Sequence, residues 1–185
     1  MEIAGNTGVA AYGVIANLWF IVVSMFTGIS QGMQPIMSHN YGKGKYGNVN
    51  KILKYGLILM GTFAAAIYAV MFFGSEYVAA IFNSEYNETL QYIAEEGLKL
   101  YYIACPFVGF NIIISIFFTS TEYPVPAHII SILRGFALII PMAFIMLFAG
   151  GRIGLWMAFP VTEMIVTVIG IILYIMRNRK LKEHI

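Results

Sequence analysis

The sequence predicts an all-α integral membrane protein with about five transmembrane helices. Only 11% of its 185 residues are charged, whereas 59% are hydrophobic, and the mean hydropathy is +0.78. A soluble domain carries about 25% charged residues because its surface must be solvated. Five long apolar stretches also supply the roughly 20 residues that a helix needs to cross a hydrocarbon core. Together these features indicate that lipid surrounds most of the surface.

The predicted spans follow one another along the chain. They cover residues 9–37, 54–73, 98–119, 127–149 and 153–176. Helices are favoured over strands because each run is long and lacks the strict alternation of a barrel strand. A short helix outside the membrane, capped by Asn87, is predicted over 87–100. Because proline lacks the N–H that a helix interior needs, we expect bends near Pro35, Pro106, Pro141 and Pro160.

Charge sets the predicted orientation in the membrane. Basic residues gather between the first two spans and in the tail over 177–185, at Lys43, Lys45, Lys51, Lys54, Arg177, Arg179, Lys180 and Lys182. The segment between the second and third spans is instead rich in glutamate. Basic loops stay cytoplasmic, so we expect a multi-pass protein of the plasma membrane with a cytoplasmic C-terminus. Counting back places the start of this chain outside, without a signal sequence, so a preceding helix is expected.

Several functional classes are disfavoured. The single cysteine, Cys105, excludes an internal disulfide, and His39, His128 and His184 show no metal-ligand spacing. No nucleophile, base and acid combination suggests catalysis, so no enzyme is predicted. A net charge of +2 is too small to indicate nucleic acid. Neither a cofactor nor a bound metal is expected.

Polar side chains form a stripe on the first predicted span. At 100° per residue they occupy one arc of about 100°; they are Asn17, Ser24, Thr27, Gln31, Gln34 and Ser38. Beside them Ser24, Gly28 and Gly32 recur every four residues, a spacing that lets a neighbouring helix approach closely. The third span repeats the pattern with Asn111, Ser115 and Thr119. These side chains either line a wet cleft or bond to another helix, and the sequence leaves both open.

Arg134 and Glu163 are the ionisable residues deepest in the predicted spans. Charges inside a membrane are rare and indicate function by default. The two residues lie on consecutive antiparallel spans but at different depths, so they pair directly only if both side chains reach. The preferred interpretation is a structural ion pair, and the alternative is a charge on a transport path.

Several motifs taken together resemble the multidrug and toxic compound extrusion (MATE) family. They are Gly28–Pro35 followed by Asn40–Gly42, Cys105–Phe110, Arg134 with Pro141, and Gly154–Pro160 with Glu163. The resemblance extends over about residues 5–176. It implies an incomplete six-helix bundle that corresponds to the last five helices of a twelve-helix transporter. The missing upstream helices would then be partners, together with the lipid bilayer.

The resemblance also implies export of drugs or organic cations in exchange for Na⁺ or H⁺ by alternating access. The polar stripes would line the central cleft and the four prolines would act as hinges. Family acids that couple transport to the cation lie largely in helices that this chain lacks. The third span offers only Asn111, Ser115 and Thr119 where some relatives carry another acid. No cation site is therefore assigned.

Two other functions remain open. A flippase for lipid-linked saccharides belongs to the same superfamily but is expected to need more basic residues inside its spans than Arg134 alone. The second open function is that of a truncated membrane fragment, which does not transport and needs a partner. This alternative follows because five helices alone leave half a cleft facing lipid.

Overall fold

The computed structural model describes residues 5–183, and this part of the chain is almost entirely helical. Its α-helices are α1 (Gly5–Gly42), α2 (Tyr46–Phe73), α3 (Ser75–Phe82), α4 (Glu88–Tyr101), α5 (Cys105–Ser120), α6 (Pro124–Ile132) and α7 (Ile139–Glu183). A 3₁₀ turn at Tyr102–Ala104 joins α4 to α5, and a π turn at Leu133–Ala137 follows α6. From Lys180 onward, the side chains of the predicted basic tail over 177–185 lie outside the described residues.

Four helical stretches in residues 5–183 are long and apolar enough to cross a membrane. They are Gly5–Gly42, Tyr46–Phe73, Glu88–Ser120 and Ile139–Arg179. The last is bent, because Gly151 has φ +56° and ψ −130°, outside the helical region. Only the missing Cβ of glycine makes such a conformation readily accessible. The predicted span 153–176 is therefore the second part of α7, and 127–149 is divided between α6, the π turn and the first part of α7.

The helix ends differ from the predicted loops in two places. Helix α2 begins at Tyr46, so Lys51 and Lys54 are helical residues and not part of a loop. The short helix α3 was not predicted at all. At the start of α4, the Asn87 side chain accepts a hydrogen bond from the Leu90 N–H at 3.0 Å, which confirms the predicted cap.

Helix α5 lies at the centre of the bundle and contacts α1, α2, α6 and α7. The buried face of α1 repeats every three or four residues, at Ala11, Ile15, Trp19, Val22 and Phe26. Such a stripe is what a 3.6-residue period requires of a helix packed on one side. Near α4, the Trp19 ring packs edge-on against the rings of Tyr101, Tyr102 and Phe159. The centroids of these ring pairs are 5.1–5.5 Å apart.

Helices approach most closely at glycines that the sequence pattern did not single out. A Cβ at Gly97 would collide with Ile15 and Trp156, and one at Gly56 would collide with Met33. By contrast, Gly28 and Gly32 have open space around them. The close contacts inside this bundle thus lie away from the small-residue seam of α1.

Candidate functional site

A buried ion pair joins the π turn to the second part of α7. Arg134 Nη2 lies 3.0 Å from Glu163 Oε1, and Nε donates to the same oxygen at 3.1 Å. The Glu163 side chain is only 1% exposed, whereas that of Arg134 is 23% exposed. The sequence left open whether these side chains reach each other, and in the structure they do.

Helix α5 adds a third member to this pair. The Asn111 amide donates to Glu163 Oε2 at 2.8 Å and to the Glu163 backbone oxygen at 3.1 Å. The Thr167 hydroxyl lies 3.2 Å from Asn111 Oδ1 and 2.9 Å from the Glu163 carbonyl. Both carboxylate oxygens of Glu163 therefore have partners. Thr167 stands one helical turn after Glu163, and this i, i+4 spacing is the signal by which the sequence could have revealed it.

This network links three separate segments in the apolar interior. A buried carboxylate is tolerated when a cation and hydrogen bonds compensate its charge, and here Arg134 and Asn111 supply both. Arg134 lies in the π turn. Single π turns inside helices are rare, and those that occur are frequently found at functional sites. The arrangement can hold the helices together, and it also leaves one side of the guanidinium accessible.

The accessible side of Arg134 faces a cavity of about 560 Å³ between α1, α4, the π turn and α7. We call it the arginine cavity. Its characteristic lining residues are Tyr12, Tyr101, Arg134, Arg152, Trp156 and Phe159. Sequence reasoning did not single out Arg152 or Trp156, although Trp156 belongs to one of the motifs that carry the family resemblance.

Arg152 forms a second ion pair at the edge of the arginine cavity. Its Nε donates to Glu96 Oε2 at 2.8 Å and its Nη2 to Glu96 Oε1 at 3.4 Å. The guanidinium also lies over the Tyr92 ring at 5.4 Å, within cation–π range. This contact ties the bend of α7 at Gly151 to α4.

The predicted polar stripe lies on an open face of α1. Asn17, Ser24 and Gln31 are exposed, and Thr27 and Gln34 are half-buried. The Ser24 hydroxyl donates to the Phe20 carbonyl of its own helix at 2.7 Å. No other helix among the described residues covers Gly28 or Gly32 on this side. A role in lining a cleft stays a prediction.

The polar residues of the third predicted span separate into two groups. Asn111 is buried in the network with Glu163. Ser115 and Thr119 donate to the carbonyls of Asn111 and Ser115 in their own helix, at 2.7 and 2.6 Å. Their own helix therefore satisfies both hydroxyls, and a contribution of these residues to a cleft also stays a prediction.

The prolines lie at different kinds of position. Pro35 and Pro160 are inside α1 and α7, whereas Pro106 stands in the first turn of α5, directly after the 3₁₀ turn. Pro141 lies near the start of α7. Their action as hinges stays a prediction. Within residues 5–183, no group of three His, Cys, Asp or Glu side chains could hold a metal ion.

Comparison with known proteins agrees with this architecture. The model of the MatE family matches residues 1–145. The FAD transporter of Shewanella oneidensis is 23% identical over 174 residues, which are 94% of this chain and 37% of that protein.

Solved structures share the same fold. The outward-facing conformation of a multidrug resistance MATE family transporter superposes with a TM-score of 0.88 at 17% identity, over 97% of this chain and 41% of that one. A MOP superfamily transporter from Pyrococcus furiosus, described as having a binding pocket of reverse polarity, gives 0.86 at 17% identity, over 97% and 40%. The chain thus spans well under half the length of these proteins. Because the family model matches most of its residues, and in agreement with the sequence motifs, the chain belongs to the MatE family.

Proposed function

We propose that this chain forms part of the second helix bundle of an exporter that moves drugs or other organic cations out of the cell by alternating access. The observation that carries this proposal is the open polar face of α1. Asn17, Ser24 and Gln31 are exposed there, and polar side chains that face lipid are costly. A water-filled cleft shared with a second bundle would remove that cost.

The coupling ion would be Na⁺ or H⁺. Glu163, the most buried carboxylate among the described residues, already has Arg134 and Asn111 as partners. Glu163 is therefore engaged in structural contacts. The acid that couples transport to the ion is proposed to lie in the helices that precede α1 in a complete transporter.

Export from cells tests this proposal. Three sets of cells are compared. The first expresses the chain alone, the second expresses it together with the upstream helices of a MatE relative as a second polypeptide, and the third expresses an inactive control. Export of a fluorescent organic cation such as ethidium is expected only when both parts are present, and it should stop when the Na⁺ and H⁺ gradients are dissipated. Export that survives loss of both gradients would contradict the coupling mechanism.

A matched pair of variants tests the role of α1. Gln34→Ala, on the polar stripe, is expected to slow export several-fold. Met25→Ala, at an exposed apolar position of the same helix away from the polar stripe, is expected to leave it unchanged. Equal rates for the two variants would remove the open polar face as support for a cleft.

A second candidate cargo is a flavin nucleotide. The Shewanella oneidensis relative that covers 94% of this chain is an FAD transporter, and FAD is an anion. Export of FAD in place of ethidium by the same reconstituted pair would favour this candidate.

A further inference from the structure

We propose that the arginine cavity binds an organic anion that carries an aromatic ring system. The proposal names a ligand class of opposite charge to the organic cations above. It rests on the proposed transport function only for the choice of a flavin as probe. Binding is measured without transport, so either can fail while the other holds.

Two arginines are the charged residues that line the cavity, Arg134 and Arg152. Tyr12 and Tyr101 are the other lining residues with hydroxyl groups, which can donate or accept hydrogen bonds. Of the described residues, no aspartate or glutamate belongs to the lining. Each guanidinium is paired with a glutamate that stands outside the lining, so the cavity wall presents guanidinium N–H donors without a carboxylate beside them. An anion can accept hydrogen bonds from these donors, whereas an organic cation finds no anionic partner in the lining.

Each arginine keeps donors free for such a ligand. Arg134 and Arg152 contact Glu163 and Glu96 through Nε and Nη2 only. A guanidinium carries five N–H groups in a rigid fork, so Nη1 can bind a second acceptor while the first stays in place. The carboxylates stand outside the lining and fix the orientation of both guanidinium groups.

Aromatic rings form the remaining walls and account for the second part of the ligand class. The rings of Tyr12 and Trp156 stack with centroids 6.2 Å apart, and those of Tyr101 and Phe159 stack at 4.7 Å. A flat ring system can add to such stacks in an offset geometry. The volume of about 560 Å³ falls within the range of pockets that hold small organic ligands.

Quenching of Trp156 fluorescence measures the binding directly. Trp19→Phe leaves Trp156 as the single tryptophan and keeps an aromatic ring in the core. The purified chain in lipid nanodiscs is titrated with flavin mononucleotide and with riboflavin, which differ only by the phosphate. Flavin mononucleotide is expected to bind at least tenfold more tightly, and ethidium should compete with neither.

Variants identify the groups responsible. Arg152→Gln and the charge-neutral double variant Arg134→Gln/Glu163→Gln should each reduce the preference for the phosphate to threefold or less. Lys54→Gln removes a positive charge from a different groove and should keep the full preference. Equal binding of the two flavins, tighter binding of ethidium, no binding at all, or an unchanged preference in both arginine variants would each overturn the proposal.

Discussion

Arg134 and Glu163 form an ion pair of 3.0 Å although 28 residues and a bend at Gly151 lie between them in the chain. Glu163 is almost completely buried, and Asn111 from α5 occupies its second oxygen. One carboxylate thus connects α5, the π turn and α7. This relationship leads to predictions about stability that do not depend on the transported solute.

Removal of the carboxylate should strongly destabilise the bundle. Glu163→Ala leaves Arg134 uncompensated and is expected to lower the free energy of unfolding by about 3–5 kcal/mol. Glu163→Gln retains an acceptor and should cost less. Unfolding in mixed micelles of increasing dodecyl sulfate content, followed by circular dichroism, gives both values.

The control for this measurement is Glu85→Ala, which removes an exposed carboxylate from the loop between α3 and α4. It should change the free energy of unfolding by no more than about 0.5 kcal/mol. Similar values for Glu85→Ala and Glu163→Ala would show that the buried pair does not stabilise the fold.

Asn111 should matter through its contact with Glu163. Asn111→Leu leaves one carboxylate oxygen without a donor and is expected to cost about 1–3 kcal/mol. Asn111→Asp should cost more, because it places two carboxylates side by side. Adding Glu163→Gln to Asn111→Asp should restore part of the loss in the same unfolding titration. No recovery in that double variant would mean that charge repulsion is not the cause.

Two glycines should respond to alanine in opposite directions. Gly97→Ala places a methyl group against Ile15 and Trp156 and should lower the free energy of unfolding by about 1–3 kcal/mol. Gly28→Ala meets no neighbouring atom of the described residues and should raise the free energy of unfolding by up to about 1 kcal/mol, since alanine favours the helix. Equal effects would contradict the helix packing described above.

The sequence predicted the class of fold because length and hydropathy alone define a membrane helix. The Asn87 cap was predictable as well, because a local side chain satisfies a local N–H. Helix α3 was not predictable, because its eight residues include the charged Glu76 and are too short for a periodic pattern.

The network around Glu163 was only partly predictable. Arg134 and Glu163 stood out as charges in apolar segments, but their pairing depends on the π turn and the bend at Gly151. The π turn and the bend both change the register that a regular helix would give. The depth of each residue in the membrane, counted along the sequence, could therefore not establish the contact. The bond from Asn111 crosses between helices and leaves no periodic signal in either one.

Chemical labelling across the membrane tests most directly the central claim that a bilayer surrounds this bundle, and it also tests the predicted cytoplasmic position of the basic turn after α1. Cys105 is the single cysteine and is buried, so Cys105→Ser provides a background free of thiols. Lys45→Cys and Glu85→Cys then place one thiol at each end of the bundle.

In intact cells, a maleimide that cannot cross the membrane should label the thiol at position 85 and not the one at position 45. Both should react once the membrane is permeabilised. Labelling of Lys45→Cys in intact cells, or equal labelling of both variants there, would contradict the account.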